Sequence, residues 1–89
     1  MKYQILYQED VLRNQVGSLP SSDKLIIKRA IEERLMVDPI GFGKPLRYSL
    51  KGHRRLRVSV YRILYRIEEK TNTVIIIAIK HRKDIYEYA

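Results

Sequence analysis

The segment Arg54–Ile67 constrains the fold more than any other part of this sequence. Apolar and polar residues alternate along it as in a β-strand, but the run is too long for an ordinary single strand. A turn at Ser59-Val60 makes it a hairpin that pairs Val58 with Tyr61, Arg57 with Arg62, Leu56 with Ile63, Arg55 with Leu64 and Arg54 with Tyr65. Directly opposed residues share a face of the sheet. One face therefore carries Leu56, Val58, Tyr61 and Ile63, and the other carries Arg55, Arg57 and Arg62.

The turn is the weak point of this hairpin. Tight hairpin turns require positive φ angles, which a β-branched residue such as Val60 resists. A bulge or a longer loop at this point would change the pairing.

The other elements follow from periodicity and from helix-ending residues. In the N-terminal half we expect a strand over Lys2–Tyr7, a short helix over Glu9–Val16 and a longer helix from an N-cap at Ser22 to Val37. A loop over Pro39–Pro45 and a strand over Leu46–Leu50 come next. After the hairpin we expect a turn over Glu68–Asn72 and an apolar internal strand over Val74–Ile79. The longer helix buries Ile27, Ala30, Ile31 and Leu35, and it ends before Pro39 because a residue that precedes proline is disfavoured in α-helix. The prediction is an α+β domain of order β-α-α-β-β-β-β over residues 1–89, with two helices on one face of a mostly antiparallel sheet.

Composition narrows the functional class. The chain has 89 residues, no cysteine and two histidines far apart in sequence, which excludes thiol chemistry and makes a metal site unexpected. The longest apolar run, Val74–Ile79, is far too short to cross a membrane, so we expect a cytoplasmic protein with no membrane partner. The formal net charge of +8 points to a polyanionic partner.

The positive charge is concentrated in one segment. Between Pro39 and Ile67 the chain has no Asp or Glu, yet it carries Lys44, Arg47, Lys51, Arg54, Arg55, Arg57, Arg62 and Arg66, with His53 among them. Surface arginines on a strand usually alternate with acids that pair with them across the sheet. Phosphate binding explains the missing acids better than a solvated face does.

Three motifs carry a resemblance to a known family. Leu50-Lys51-Gly52, then the run from Arg55 to Tyr65 (RLRVSVYRILY), then the run from Ala78 to Tyr86 (AIKHRKDIY) resemble the C-terminal core of the RelE/ParE toxin superfamily. Leu19-Pro20, the amphipathic helix and Asp38-Pro39 are also similar to that family, so the resemblance covers nearly the whole chain. The short N-terminal helices and the basic and tyrosine positions resemble the RelE branch.

The resemblance implies an activity. RelE-branch toxins enter the ribosomal A site and cleave mRNA there by attack of a 2′-hydroxyl on the neighbouring phosphate, without metal or cofactor. The alternative is a ParE-like gyrase inhibitor, or a non-catalytic binding module of the same fold.

The resemblance also assigns roles to single residues. Arg62 falls on the phosphate-stabilising arginine, Arg82 on the C-terminal arginine that assists as acid or charge stabiliser, and Tyr86 on the tyrosine that orients or stacks on the base. Arg55 and His53 fall on basic positions of the preceding strand, and His81 matches a histidine common in relatives. The remaining cations, Arg54, Arg57, Lys51, Arg47 and Lys44, are expected to bind RNA phosphates.

Some residues depart from the family pattern. Ser59-Val60 replaces a Gly-Asp turn, Lys80 replaces a glycine, and Arg55 stands where the best-known member has lysine. A guanidinium stays charged at any relevant pH, so Arg55 binds phosphate but does not act as a base. The base must come from another residue, His53 or His81, since histidine ordinarily titrates near neutrality.

The family also implies a partner. Such toxins have a cognate RelB-like antitoxin, so a toxin–antitoxin hetero-oligomer is expected. An acidic and apolar antitoxin segment would suit both the basic face and the helix groove.

Overall fold

The computed structural model describes residues 2–47 and 52–81 of the chain. Its strands are β1 (Gln4–Tyr7), β2 (Lys44–Pro45), β3 (Arg54–Val58), β4 (Tyr61–Glu68) and β5 (Thr73–His81). Among the described residues they form one five-stranded sheet in the order β1-β5-β4-β3-β2. β1 runs parallel to β5, and the other neighbours are antiparallel. The predicted mostly antiparallel sheet is confirmed.

Both predicted helices are present between β1 and β2. The first is π-helical over Val11–Val16. The second is α1 (Ser21–Ala30), which continues as a π-helical segment over Ile31–Leu35. The wider turn is visible at its end, where the Met36 N–H donates to the Ile31 carbonyl five residues earlier. The predicted N-cap at Ser22 is wrong, because Pro20 occupies the N-cap position and α1 begins at Ser21.

A third, short helix replaces part of the predicted loop. Asp38 accepts a hydrogen bond from the Gly41 N–H at 3.0 Å and caps α2 (Pro39–Phe42), with Pro39 at the first helical position. Proline suits that position because its φ is already helical and the missing N–H would have no partner there. The Asp38-Pro39 pair therefore ends one helix and begins another. The predicted strand over Leu46–Leu50 is displaced to β2 (Lys44–Pro45), and its residues 48–50 lie outside the described part of the chain.

The hairpin has the predicted register at every pair. Val58 lies opposite Tyr61, and the pairing continues without interruption to Arg54 opposite Tyr65. Ser59 takes the positive φ of the turn, at 55°, and Val60 is not among the described residues with positive φ. The turn thus avoids the left-handed conformation at its β-branched residue, which removes the objection raised by the sequence.

β5 contains an irregularity that changes which side chains share a face. Leu64 pairs with Ala78 and Tyr65 pairs with Ile76, so Ile77 is an extra residue on β5. Beyond this bulge the alternation of faces is reversed. Ile79 therefore joins the core, and its backbone N–H donates to the Gln15 side chain of the first helical segment at 2.5 Å.

The main hydrophobic cluster lies between the helices and one face of the sheet, while Leu64 and Ala78 are buried on the other face. The four predicted helix residues are all buried, at 6% exposure or less, and they belong to one cluster with residues of β3, β4 and β5. The helices therefore cover the same face of the sheet, and the predicted α+β architecture is confirmed. Arg55, Arg57 and Arg62 lie on the opposite face.

Candidate functional site

Three cations form a row across the face of the sheet opposite the helices. Arg57 of β3 is paired with Arg62 of β4, and Arg62 is paired in turn with Lys80 of β5. Side chains at such paired positions have Cβ atoms about 5 Å apart. Arg55 lies two residues before Arg57 on the same face of β3. We call Arg55, Arg57, Arg62 and Lys80 the cationic row.

The members of the row differ in environment. Arg62 is half-buried, and its Nη1 donates to the Tyr61 carbonyl at 3.4 Å, which directs the guanidinium along its own strand. Arg57 is exposed and forms no ion pair with a described residue. Arg66, further along β4, lies 3.9 Å from the Glu68 carboxylate. The positively charged side chains therefore concentrate at the turn end of the hairpin.

Arg54, which the sequence predicts to bind phosphate, forms hydrogen bonds within the protein, and its phosphate-binding role stays a prediction. One guanidinium nitrogen donates to the carbonyls of Ile40 at 2.6 Å and Gly43 at 2.9 Å. Tyr65 donates from its hydroxyl to the Pro39 carbonyl at 2.5 Å. Burial raises the pKa of Tyr65, against the opposing influence of the Arg54 charge. These contacts anchor α2 and the segment after it to the sheet.

Gly43 makes this anchoring possible. A Cβ atom at Gly43 would lie 1.7 Å from the Tyr65 hydroxyl oxygen, so a side chain cannot be placed there without displacing the tyrosine. The glycine thus allows the chain to pass directly over Tyr65.

His81 lies on the helix side of the sheet, away from the cationic row. It is paired with Tyr61, and the two rings meet edge to face with centroids 5.8 Å apart. The Tyr61 hydroxyl donates to the Asp23 carboxylate at 2.6 Å, which joins β4 to the first turn of α1. This hydrogen bond, more than burial, raises the pKa of Tyr61. The catalytic role of His81 stays a prediction.

The other predicted residues are dispersed. His53 is half-buried just before β3 and lines a cavity of about 320 Å³ with Arg54 and Glu69. Lys44 is exposed on β2, and Arg47 is exposed just after it. Lys51, Arg82 and Tyr86 lie outside the described residues.

Lys80 is a member of the row that sequence reasoning missed. Strict alternation from Val74 would place it on the core side with Ile76, and only the bulge at Ile77 brings it beside Arg62. The one sequence signal is its position directly after an apolar strand. Such a signal cannot reveal which face the residue occupies.

The arrangement is suited to holding an anion. Guanidinium groups bind phosphate through two parallel hydrogen bonds, and adjacent cations on a sheet repel one another unless an anion lies between them.

Residues 2–47 and 52–81 contain no group of three or more His, Cys, Asp or Glu that would hold a metal ion. Nor does this part of the chain contain a helix long and apolar enough to cross a membrane.

Comparison with known proteins places the chain in a family. Residues 20–86 match the family model of the ParE toxin of type II toxin–antitoxin systems. The toxin RelG of Mycobacterium tuberculosis is 47% identical over 49 residues, which cover 55% of this chain and 56% of that protein. The match therefore spans little more than half the length of this relative.

Solved structures agree with the family assignment. The toxin–antitoxin complex RelBE2 of Mycobacterium tuberculosis contains a chain with a TM-score of 0.85 and 30% identity, the match covering 92% of this chain and 100% of that one. A mutant of the Escherichia coli toxin RelE in its free state has a TM-score of 0.77 at 18% identity, covering 99% of this chain and 92% of that one, which shows the shared fold. A family match over most of the chain and a common architecture lead to one conclusion: this protein belongs to the RelE/ParE superfamily of type II toxin–antitoxin toxins.

Proposed function

We propose that this toxin is a ribosome-dependent mRNA endonuclease that cleaves the message in the A site. The observation that supports the proposal most directly is the cationic row, which lines up Arg57, Arg62 and Lys80 beside Arg55 on the face that the helices leave uncovered. An mRNA strand lying on this face would place a phosphate among several guanidinium groups. The sequence resemblance to RelE toxins supplies the reaction.

The proposed reaction is an internal transesterification. The 2′-hydroxyl oxygen attacks the adjacent phosphorus and its proton passes to a base. The bond to the 5′-oxygen breaks and that oxygen takes up a proton from an acid or from water, leaving a cyclic phosphate and a 5′-hydroxyl. Negative charge builds on the non-bridging oxygens in the transition state, and preorganised donors stabilise that charge. Arg62 and Arg55 supply these donors, while Arg82 protonates or stabilises the leaving oxygen and Tyr86 stacks on the base.

The base is one of the two histidines. His53 precedes β3, on which Arg55 lies, whereas His81 ends β5 on the helix side against Tyr61. Single-turnover cleavage across pH 5 to 9 separates them. Replacing the base with glutamine removes the rise of the rate with pH, because a general base must be deprotonated to act. The other His→Gln variant keeps the profile of the unaltered protein.

The second candidate is gyrase inhibition, which the match to the ParE family model favours. One experiment decides between the two. In a translation extract, the proposed function gives mRNA fragments that end within the A-site codon and carry cyclic phosphates. Intact mRNA, together with gyrase-dependent breaks in supercoiled DNA, would establish the second candidate instead.

The protein's proposed partner is a RelB-like antitoxin, and an apolar groove supports this. The groove, of about 310 Å³, runs between the helical segments and β5 and is lined by Tyr7, Leu12, Val16, Leu19, Lys24, Ile27, Lys28 and Ile79. Leu12 is 55% exposed there, and the two lysines border an otherwise apolar surface. An amphipathic helix with acidic flanks would bury its apolar face in this groove.

Leu12→Glu tests this assignment. A carboxylate in the groove must lose its hydration when an antitoxin helix docks, so co-expressed RelB-like antitoxin should no longer relieve the growth arrest that the toxin causes. The arrest itself should persist, because Leu12 lies on the side of the sheet opposite the cationic row. Full relief by antitoxin would show that the helix docks elsewhere. The matched control is Leu6→Glu, which replaces an equally exposed leucine outside the groove lining.

A further inference from the structure

A second cationic feature lies at the β3 edge of the sheet. β2 pairs only with Arg54 and Arg55, so in the described part of the chain the rest of β3 has no strand partner on that side. A cavity of about 300 Å³ opens beside this edge and is lined by Arg34, Phe42, Lys44, Arg55, Leu56 and Arg57. Arg34 and Phe42 belong to none of the motifs found in the sequence.

All the charged residues that line the cavity are cations. Four of its six lining residues are cations, contributed by the end of the long helix, by β2 and by β3, and none is an acid. None of these four cations lies within ion-pair distance of an acid among residues 2–47 and 52–81. Arg34 follows Glu32 and Glu33 directly and still pairs with neither. An anionic ligand would offset the repulsion among these side chains.

Phe42 adds an aromatic surface to this cavity. It is the only phenylalanine of the chain, it ends α2, and it is 50% exposed. Its position is well defined, because the Asp38 cap, the Tyr65 hydrogen bond to Pro39 and the Arg54 hydrogen bonds to the adjacent carbonyls fix α2 against the sheet. Proteins that bind single-stranded nucleic acids combine an exposed aromatic ring with nearby cations. The ring stacks on a base and the cations hold phosphates.

We propose that this cavity binds one nucleotide of single-stranded RNA, with its base stacked on Phe42 and its phosphate held by Arg34 and Lys44. The proposal rests on the proposed function, since it names the part of the site that holds a nucleotide next to the cleaved one. Arg55 and Arg57 belong both to the cavity and to the cationic row, so a single strand passes from one to the other without a gap. The size of the cavity is that of a small-ligand pocket.

The absence of tryptophan from the chain allows a direct test. Phe42→Trp introduces a single fluorophore at the proposed stacking position. The probes are a hexamer of riboadenylate and an abasic ribose-phosphate chain of equal length and charge, both at low salt. The matched control is Val37→Trp, which places the fluorophore at a site of similar exposure, 52%, outside the cavity lining.

Base stacking makes a specific prediction for these probes. The riboadenylate quenches the fluorescence of the Phe42→Trp variant strongly, the abasic chain leaves it nearly unchanged, and Val37→Trp responds to neither. Phe42→Leu weakens riboadenylate binding about tenfold, whereas Phe42→Tyr retains it, because stacking requires the aromatic ring. Circular dichroism of each variant verifies that the fold is intact.

Three results would overturn the proposal: equal quenching by the abasic chain, equal quenching in the Val37→Trp control, or the same quenching by a hexaglutamate peptide. The last would identify the cavity as a binding site for acidic peptide. These measurements use no ribosome and no cleavage, so they separate the two claims. Stacking without mRNA cleavage by the unaltered protein would sink the proposed function alone, and cleavage without stacking would sink this proposal alone.

Discussion

At the scale of single residues, the most informative side chain is Arg62. It is the middle member of the cationic row, with Arg57 on one side and Lys80 on the other. We predict that Arg62→Ala lowers single-turnover mRNA cleavage about 100-fold or more, as expected when one donor to a developing negative charge is deleted. Ribosome affinity should fall far less, because the neighbouring cations remain. Thermal stability should stay the same or rise slightly, because directly opposed like charges destabilise a sheet.

Arg66→Ala is the matched control for this substitution. Arg66 lies on the same strand, but its guanidinium is near the Glu68 carboxylate, which offsets its charge. Equal losses of cleavage in the two variants would reduce the row to a diffuse basic surface. An Arg62→Ala protein that unfolds would assign the residue a structural role.

At the scale of elements, the hairpin turn carries a measurable strain. Ser59 has a φ of 55°, in the left-handed region that costs an L-residue about 1–2 kcal/mol and costs glycine almost nothing. Glycine also loses more entropy on folding, so we expect Ser59→Gly to raise the free energy of unfolding by up to about 1 kcal/mol in urea titrations.

Val60→Gly serves as the comparison for the turn. Val60 does not adopt a positive φ, so glycine there has no strain to relieve and should lower stability. If both glycine variants changed stability by the same amount, turn strain would not be the cause.

The Tyr61–Asp23 hydrogen bond, which joins β4 to α1, should make the free energy of unfolding decrease at alkaline pH. The Tyr61–Asp23 hydrogen bond raises the pKa of Tyr61 above its ordinary value of 10.0. Above that value the unfolded chain loses the hydroxyl proton while the folded protein keeps it, so stability falls as pH rises. The hydrogen bond contributes its full stabilisation below pH 10.0 and loses it as the pH passes the folded pKa.

Tyr61→Phe isolates this contribution. At pH 8 the unaltered protein should be more stable than the variant by about 1 kcal/mol, the usual net value of such a hydrogen bond. This difference should shrink as urea unfolding is repeated from pH 8 to pH 11.5. A constant difference would show that Tyr61 titrates alike in the folded and unfolded states.

At the scale of the whole molecule, the net charge of +8 should make binding to a polyanion depend on salt. If six or more cations contact phosphates, binding to ribosomes should weaken by orders of magnitude between roughly 50 and 200 mM salt, because each contact releases counterions. Filter binding of labelled toxin to ribosomes measures this slope. A flat salt dependence would instead indicate recognition through protein contacts.

Much of the fold was predictable because local periodicity reports burial. The helix residues Ile27 and Leu35 and the complete pairing of β3 with β4 follow from spacing alone, since an element with one apolar face has only one way to bury it. The faces of Arg57 and Arg62 follow from the same pairing. The helix over Pro39–Phe42 was missed because the glycines and prolines of residues 39–45 are typical of loops, and only the Asp38 cap distinguishes it.

Arg54 forms contacts that sequence spacing could not predict. Arg54 is one residue from Arg55, yet it is held by the carbonyls of Ile40 and Gly43, a contact that exists only once α2 has packed on the sheet. The cavity with Arg34 and Phe42 likewise joins segments distant in sequence.

The hairpin, the amphipathic helix and the arginine face follow from the order of residues along the chain, because in each an alternation of apolar and polar residues selects one orientation. β5 lacks such an alternation, being apolar on both faces from Val74 to Ile79, so its own residues do not decide which side chains point toward the helices. Pairing with β4 sets this orientation through the bulge at Ile77, which places Ile79 in the core and Lys80 beside Arg62. A strand with two apolar faces gains equally from burying either face, so it takes its register from the neighbours it packs against.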